Sequence, residues 1–224
     1  MGREKFQIPR NKRFIALKGE GMLKTKIVWD DHDSLLQSAN FCVLADDFVA
    51  ANIGFTNSYN HVAIAKNPRI QAVAALINGD RASFYNCSFY GLQDTLWDNQ
   101  GRHYFKDCFI EDHRPQKEQR LCSKNAELRE MVRPFWDELG DHIQQCYITN
   151  HIFSDVVVPD GLDAWTARGQ EHNTMYAEHN NHGPGSNTSK RVPWMRKLDN
   201  NTLKRYTDLS FINSDWWIQS QPRI

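Results

Sequence analysis

Between residues 6 and 110 the chain alternates short apolar and aromatic runs with Gly, Asn and Asp. Short runs rich in β-branched and aromatic side chains, bounded by turn-forming residues, are typical of β-strands. The three-to-four-residue spacing of an amphipathic helix is weak in this region. The pattern predicts strands at Phe14–Leu17, Lys26–Trp29, Phe41–Leu44, Asn52–Phe55, Ala72–Ile77, Ala82–Cys87 and His103–Cys108.

An Asn-Cys pair at Asn86 and Cys87 recurs further along the chain as an Asp-Cys pair at Asp107 and Cys108. Their separation, near twenty residues, is the period of one coil in a β-solenoid, where each coil stacks on the one before it. Both cysteines lie in apolar runs, so we expect them to be buried as small apolar side chains.

The strand pattern stops at residues 112–131. Residues 112–120 are charged or polar and include no large apolar side chain. Residues 124–130 are predicted to form either a short polar helix or a disordered bridge. A deletion, mis-splicing or a frameshift would each produce such a break.

Beyond the break, strand character returns at Phe153–Val158. Asp199 is placed to cap a helix beginning at Asn200, because an Asp side chain accepts a hydrogen bond from a free amide of the first turn. The aromatic tail Leu209–Trp217 is expected to pack back on the strands.

A chain of 224 residues is long enough for one sizeable core, and we expect one domain over 1–224 with an atypical insert at 112–131. The 27 basic and 27 acidic side chains cancel, which argues against a dedicated nucleic-acid-binding protein. No stretch reaches the roughly 18 apolar residues of a membrane span. The first residues, Met1–Lys5, are polar and charged and do not show the pattern of a signal peptide.

The five cysteines form no CxxC pair and no zinc-type spacing, and their odd number leaves at least one thiol outside intrachain pairing. His179 and His182 lie three residues apart in a Gly/Asn-rich loop without a clear third ligand. We therefore predict no metal site.

Gln93 and Asp94 stand out because they follow an apolar and aromatic run that ends at Tyr90. A carboxylic acid held against aromatic side chains loses hydration, which raises its pKa toward the range useful for proton transfer. The amide of the adjacent Gln can donate hydrogen bonds to a developing oxyanion. The alternative interpretation is a solvated turn between two strands.

Five motifs lie in a characteristic order on both sides of the break. They are QAVA from Gln71, QDTL from Gln93, RPFW from Arg133, a segment ending in Trp165, and GPGS from Gly183. In this order the chain resembles the plant pectinesterases (pectin methylesterases), whose hallmarks read QAVAL, QDTL, DFIFG and LGRPW. The resemblance covers residues 2–111 and 131–217. Together with the repeat, it implies an all-β fold, a right-handed parallel β-helix with a short C-terminal helix and a packed tail.

The resemblance also implies a mechanism that needs no cofactor. One aspartate attacks the methyl ester of galacturonate to form an acyl-enzyme, while another protonates the methoxide and then deprotonates water. Two glutamines hold the oxyanion, an arginine keeps the nucleophile ionised, and aromatic side chains stack on the sugar rings. Matched by motif, the catalytic residues are Asp94 as acid/base, Gln93 and Gln71 as oxyanion glutamines, and Arg133 as the arginine. The matched substrate-binding residues are Ser58, Tyr90, Trp136 and Trp165; for the aromatic ones, the alternative is core packing.

The DFIFG motif, which carries the nucleophilic aspartate in the family, is absent. In the family this aspartate follows the QDTL aspartate at a fixed spacing, and the same spacing counted from Asp94 leads to Pro115, which has no nucleophilic side chain. Asp112 is the nearest carboxylate, but its odd offset on a strand points the side chain to the opposite face.

Two functions remain open. One is a pectinesterase-type carboxylic ester hydrolase that acts on methyl-esterified galacturonate in pectin and modifies the cell wall; without the DFIFG aspartate, this chain is expected to have weak or no activity. The other is a catalytically inactive homologue that binds polysaccharide or protein. A polysaccharide lyase is disfavoured, because no acidic cluster of the kind that binds calcium stands out.

The resemblance further implies pectin (homogalacturonan) as partner, a proteinaceous pectinesterase inhibitor, a monomeric state, and secretion to the cell wall. Family members normally carry a secretion signal and earlier strands. A chain lacking them is expected to be a fragment, a truncated gene model or a processed form.

Overall fold

The computed structural model describes residues 5–32, 39–59, 72–91, 95–112, 126–133, 145–149, 152–153, 157, 159–161, 169–173 and 175–224. The strands of these ranges are β1 (Phe6–Ile8), β2 (Ala16–Lys18), β3 (Lys26–Trp29), β4 (Phe41–Val43), β5 (Val49–Ala51), β6 (Gly54–Asn57), β7 (Ala75–Ile77), β8 (Ala82–Tyr85), β9 (Ser88–Gly91), β10 (Leu96–Asp98), β11 (His103–Asp112), β12 (Ala126–Arg133), β13 (Gln145–Thr149) and β14 (Met175–His179). The α-helices are α1 (Asn200–Thr207) and α2 (Trp217–Ser220). None of the helices in these ranges is long and apolar enough to cross a membrane.

Successive coils of the chain each contribute one strand to each of three stacked faces. The first face has the strand order β1-β4-β7-β10. The second and third form one sheet in the order β2-β5-β8-β11-β9-β6-β3, because the long strand β11 runs through both. Every pairing among β1 to β11 is parallel. This is a parallel β-helix, so the all-β solenoid predicted from the sequence is confirmed.

One corner of the solenoid explains the repeat seen in the sequence. Asn52, Asn86 and Asp107 occupy this corner in consecutive coils with φ of 61°, 49° and 54°. Asn and Asp tolerate this left-handed conformation better than other side chains that carry a Cβ. The Asn86 amide also donates to Asn52 Oδ1 at 2.6 Å, which links two coils. The cysteines after the corner, Cys87 and Cys108, are fully buried as predicted.

The same corner corrects two predicted strands. The strand predicted at Asn52–Phe55 starts too early, because Asn52 is the turn between β5 and β6. The strand predicted at Ala82–Cys87 runs too far, because β8 ends at Tyr85 and Asn86 turns the chain into β9. A left-handed residue breaks the alternation of a strand, which the apolar pattern alone does not show.

Aromatic side chains fill the solenoid interior. The Phe84 and Phe105 rings stack with centroids 4.9 Å apart, and the Phe55 and Phe89 rings stack at 5.2 Å. All four side chains are fully buried. Because each coil repeats the inward positions of its neighbour, similar side chains meet between coils and form one continuous core.

A ladder of arginine and aspartate side chains ties the coils together at a second corner. Arg81 Nε lies 2.6 Å from Asp47 Oδ1 and its Nη1 lies 2.8 Å from Asp80 Oδ2. Arg13 reaches Asp47 at 2.6 Å, and Arg102 reaches Asp80 at 2.8 Å. Burial raises the pKa of both carboxyls, but hydrogen bonds from Arg81 and Arg13 to Asp47, and from Arg102 to Asp80, outweigh it. The net pKa of each is lowered.

These lowered pKa values predict acid sensitivity. Because the folded-state pKa values lie below the unfolded-state value of about 3.9, the stabilisation is complete above that value and is lost as pH falls through the lowered ones. We expect Asp47→Asn to reduce the free energy of unfolding at neutral pH and to have a smaller effect near about pH 3. Urea unfolding at both pH values measures this, with exposed Asp160→Asn as control. An equal loss at both pH values would contradict the assignment.

Strand β12 corrects the prediction for the polar insert. It pairs antiparallel to β11, with Ala126 opposite Ile110 and Arg133 opposite His103. The short polar helix or disordered bridge predicted over residues 124–130 is therefore wrong for the residues in β12. At the edge of β11, unpaired backbone groups can hydrogen-bond to another strand whatever its side chains are.

The C-terminal tail packs on the solenoid, as predicted. Helix α1 begins at Asn200, and the Asp199 side chain accepts a hydrogen bond from the Thr202 amide at 2.8 Å, which confirms the predicted cap. Trp217 and Ile212 are buried in one cluster with Tyr104. The tail therefore covers the outer face of the sheet formed by β8 and the first half of β11.

Candidate active site

The outer face of β3, β6, β9 and the second half of β11 is the candidate site. Strand alternation places Phe55 and Phe89 in the core, so the neighbouring positions Thr56 and Tyr90 point outward. The turn before β3 covers one end of this face, because Ser88 Oγ donates to Met22 O at 3.4 Å. At the other end of this face lie Ser58, which follows β6, and Gly91 and Asp112, which are the last residues of β9 and β11.

Tyr90 and Phe109 form a half-buried aromatic pair on this face. Their ring centroids are 5.5 Å apart at an interplanar angle of 44°. Lys26 Nζ lies 5.5 Å from the Tyr90 ring centroid. Tyr90 therefore contacts neighbours on the outer face, where a sugar ring could stack beside it. Lys26 and Phe109 were not singled out by the sequence, since only the strand register places them beside Tyr90.

Gln71, Gln93 and Asp94 lie outside the described residues, but the structure describes the chain directly after Gln71 and Asp94. Thr95 is 1% exposed, and its carbonyl accepts hydrogen bonds from Ala74 N at 2.9 Å and Ala75 N at 3.2 Å. Ala74, at the end of the QAVA motif, and Thr95, within the QDTL motif, thus pair directly on adjacent coils. This pairing supports a common site for Gln71, Gln93 and Asp94, whose roles stay predictions.

Gly91 is the last residue of β9 and directly precedes the segment that carries Gln93 and Asp94. A Cβ at this position would lie 2.6 Å from Thr95 Oγ1, closer than two such atoms pack. The absence of a side chain lets the backbone at Gly91 come close to Thr95. The residues directly before and after the segment 92–94, which carries the predicted acid, are therefore held by the solenoid.

Two buried amides that sequence reasoning missed hold the same end of the face. Asn57 Nδ2 donates to Val73 O at 3.2 Å, and Asn40 Nδ2 donates to Thr56 O at 2.5 Å. Asn40 and Asn57 are fully or almost fully buried. They replace strand hydrogen bonds where the coils change direction, so they fix the backbone beside QAVA. Their only sequence signal is the position of Asn57 directly before Ser58.

Ser58 lies at the end of β6, where its hydroxyl is already engaged. Its backbone amide and its Oγ both donate to the Trp29 carbonyl, at 2.8 Å and 3.1 Å. The hydroxyl oxygen keeps its acceptor capacity toward a substrate hydroxyl. Its role in substrate binding stays a prediction.

The strand register gives structural support to the counted position of the missing nucleophile. Tyr90 pairs with Glu111 and Gly91 pairs with Asp112, so these two coils are related by a constant offset in residue number. The same offset from Asp94 leads to Pro115, which lies outside the described residues. Asp112 is in register with Gly91, three residues before Asp94.

The remaining predicted site residues are not brought to this end of the face by the described structure. The backbone of Arg133 pairs with His103, at the opposite end of β11 from Asp112. Trp136 and Trp165 lie outside the described residues. The roles of all three stay predictions. Within the described ranges, no group of His, Cys, Asp and Glu side chains is arranged to hold a metal ion.

A buried ion pair organises the C-terminal part of the chain. Arg191 Nε lies 2.7 Å from Glu178 Oε1, and both side chains are 1% exposed. Tyr176 Oη donates to the same carboxylate. Arg191 also donates to the carbonyl of Gly185 at 2.6 Å, which anchors the GPGS loop. The cluster holds this loop and serves no chemical step in the predicted mechanism.

Comparisons with known proteins agree with the fold and the motifs. The Pectinesterase family model matches residues 1–113 and 125–215, and the gap between the two matched ranges, 114–124, lies inside the predicted atypical insert. Probable pectinesterase 29 of Arabidopsis thaliana is 37% identical over 261 aligned positions, covering 98% of this chain and 78% of the relative. Because these positions outnumber the 224 residues of the chain, the relative carries segments that this chain lacks.

Solved structures show the same architecture. A pectin methylesterase from carrot superposes with a TM-score of 0.71 at 20% identity, covering 99% of this chain and 85% of that one. A pectin methylesterase in complex with a hexasaccharide superposes with a TM-score of 0.65 at 19% identity, covering 96% and 86%. At these identities the likeness shows the fold, while the family model and the curated relative show the ancestry. The chain belongs to the pectinesterase family.

Proposed function

We propose that this protein is a pectinesterase-type carboxylic ester hydrolase that removes methyl groups from esterified galacturonate in pectin. The observation that supports this proposal is the hydrogen bond from Ala74 N to Thr95 O, which joins the last residue of the QAVA motif to the third residue of the QDTL motif. Beside them, the aromatic pair Tyr90 and Phe109 provides a surface on which sugar rings stack. Family membership supplies the reaction class, and a structural neighbour was solved with a hexasaccharide.

With Pro115 at the counted nucleophile position, Asp94 supplies the one carboxylate of the reaction. Asp94 takes a proton from water, whose oxygen forms a bond to the ester carbonyl carbon. Gln71 and Gln93 donate hydrogen bonds to the resulting oxyanion. The bond to the methoxy oxygen then breaks, and Asp94 returns its proton to give methanol and a galacturonic acid, which loses its proton to solvent and becomes a free carboxylate. Losing one member of a catalytic set commonly costs several orders of magnitude, so turnover is slow.

A catalytically inactive protein that binds polysaccharide or another protein is the second candidate function. The constant offset between coils supports it, because the same offset counted from Asp94 leads to Pro115, which has no nucleophilic side chain. In this case the aromatic pair would still bind pectin without releasing methanol.

Prolonged incubation with highly methylated pectin separates the two functions. We expect slow methanol release that Asp94→Asn abolishes, because the substitution removes the only predicted proton acceptor. Asp107→Asn is the matched control, since this exposed residue occupies a left-handed corner that Asn also tolerates. Methanol release that Asp94→Asn leaves unchanged would contradict the proposed acid/base, and no release at all would favour the binding function.

The cellular setting follows from the same proposal. We infer a secreted protein of the cell wall that acts as a monomer in cell-wall modification and pectin breakdown. A proteinaceous pectinesterase inhibitor is the expected protein partner. Native mass measurement and immunolocalisation in tissue test the first two inferences, and co-purification with the inhibitor tests the third.

A further inference from the structure

We propose that Lys26 binds the free carboxylate of a galacturonate residue that has already lost its methyl group. The carboxylate site lies beside the aromatic pair Tyr90 and Phe109. This inference rests on the proposed function and names the part of the polymer that the outer face of β3, β6 and β9 selects. Lys26 would then make the protein prefer partly de-esterified pectin over fully esterified pectin.

The path of the Lys26 side chain across the sheet is the first observation. Lys26 pairs in register with Gly54, which in turn pairs with Ser88. Its Cγ would be only 3.4 Å from a Cβ built at Gly54, so the side chain passes close over this glycine. Its ammonium group ends 5.5 Å from the ring centroid of Tyr90, on the second strand away. The stem of Lys26 therefore lies over Gly54 and carries the cation to the aromatic pair.

The charge balance of this face is the second observation. None of the ion pairs among the described side chains involves Lys26, whereas Lys5 on the same coil pairs with Asp31 at 2.7 Å. Ser88 and Thr56, beside Lys26 on neighbouring strands, are uncharged. Lys26 is half buried, and a cation on a partly desolvated face attracts a carboxylate more strongly than one in open solvent does.

The chemistry of pectin supplies the distinction. A methyl-esterified galacturonate is neutral at C6, so it offers Lys26 only weak acceptor oxygens. A de-esterified residue offers a full negative charge and a charge-assisted hydrogen bond. Both forms present the same apolar sugar face to Tyr90 and Phe109. Lys26 therefore discriminates between the forms, while the aromatic pair binds both.

Binding of two hexamers of equal length tests the proposal without any requirement for turnover. The probes are unesterified hexagalacturonate and its fully methyl-esterified form, titrated at low salt by calorimetry. We expect Lys26→Met to weaken binding of the unesterified probe by about two- to fivefold, as for a partly exposed charge pair, and to leave the esterified probe unchanged. The difference should shrink at high salt.

Two further variants sharpen the test. Lys24→Met removes an exposed lysine whose stem lies 3.9 Å from the position of a Cβ at Gly21, and it should leave both affinities unchanged. Lys26→Arg keeps the charge and should keep the preference, which also covers the case in which Lys26→Met folds poorly. Equal weakening of both probes, or no weakening, overturns the role of Lys26 while leaving the ester hydrolase proposal intact. Binding of neither probe by the natural chain would overturn the pectin-directed function itself.

Discussion

Replacing residues 112–130 with the DFIFG-containing segment of an active pectinesterase is expected to raise methanol release from highly methylated pectin by several orders of magnitude. The graft puts an aspartate at the position that the count from Asp94 assigns to the nucleophile, which is Pro115 in this sequence. The described structure already pairs the segments that follow Gln71 and Asp94, so the acid and the amides are expected to be in place. Adding a nucleophile replaces direct attack by water with an acyl-enzyme route of two easier steps.

The graft also removes most of β12, whose antiparallel pairing occupies the edge of β11. A parallel coil bearing DFIFG needs this same edge, so the natural insert and the restored coil exclude each other. The matched control is the same chimera with its DFIFG aspartate changed to Asn, which should return to the slow rate of the natural chain. A folded chimera that stays slow would show that the defect extends beyond the nucleophile.

Asp112 provides an internal check on this interpretation. Fast methanol release by the natural chain that disappears in Asp112→Asn would make Asp112 the nucleophile and the graft unnecessary. We expect instead that Asp112→Asn leaves the slow release of the natural chain unchanged, because Asp112 pairs with Gly91, three residues short of the required position.

Glu178→Gln is expected to lower the free energy of unfolding by about 3–5 kcal/mol, because it takes a paired carboxylate away from the buried Arg191 guanidinium. Both side chains are 1% exposed, so water cannot replace the lost carboxylate. Arg191 also donates to Gly185 O at 2.6 Å and to Pro159 O at 3.1 Å, but a neutral carbonyl balances its charge less well than a carboxylate does. Urea unfolding followed by circular dichroism measures the change.

A surface pair gives the matched control for this prediction. Lys5 and Asp31 form an ion pair at 2.7 Å with side chains 41% and 26% exposed, so Asp31→Asn should cost only about 0–1 kcal/mol. The double variant Glu178→Gln with Arg191→Met should recover part of the loss, since it also removes the cation that Glu178 pairs with. A cost for Glu178→Gln as small as that of Asp31→Asn would show that the buried pair is dispensable.

The sequence by itself determined the features that depend on local chemistry. The corner residues Asn86 and Asp107 tolerate a left-handed backbone, so the coil period could be read from their spacing. Asp199 could be identified as a cap because its side chain serves amides within one turn. The motifs around Gln71 and Gln93 identified the family for the same reason, since each is a short continuous segment.

Only the tertiary structure decided which strands form and which face stays open. Strands β1, β5, β9 and β10 have three or four residues, too few for a periodic pattern, and stacking between coils stabilises them. β12 forms at an edge that no local pattern reveals. The tail covers one outer face and leaves Lys26, Tyr90 and Phe109 together on another. They meet because parallel coils bring residues far apart in sequence into register, which a linear reading of the chain does not contain.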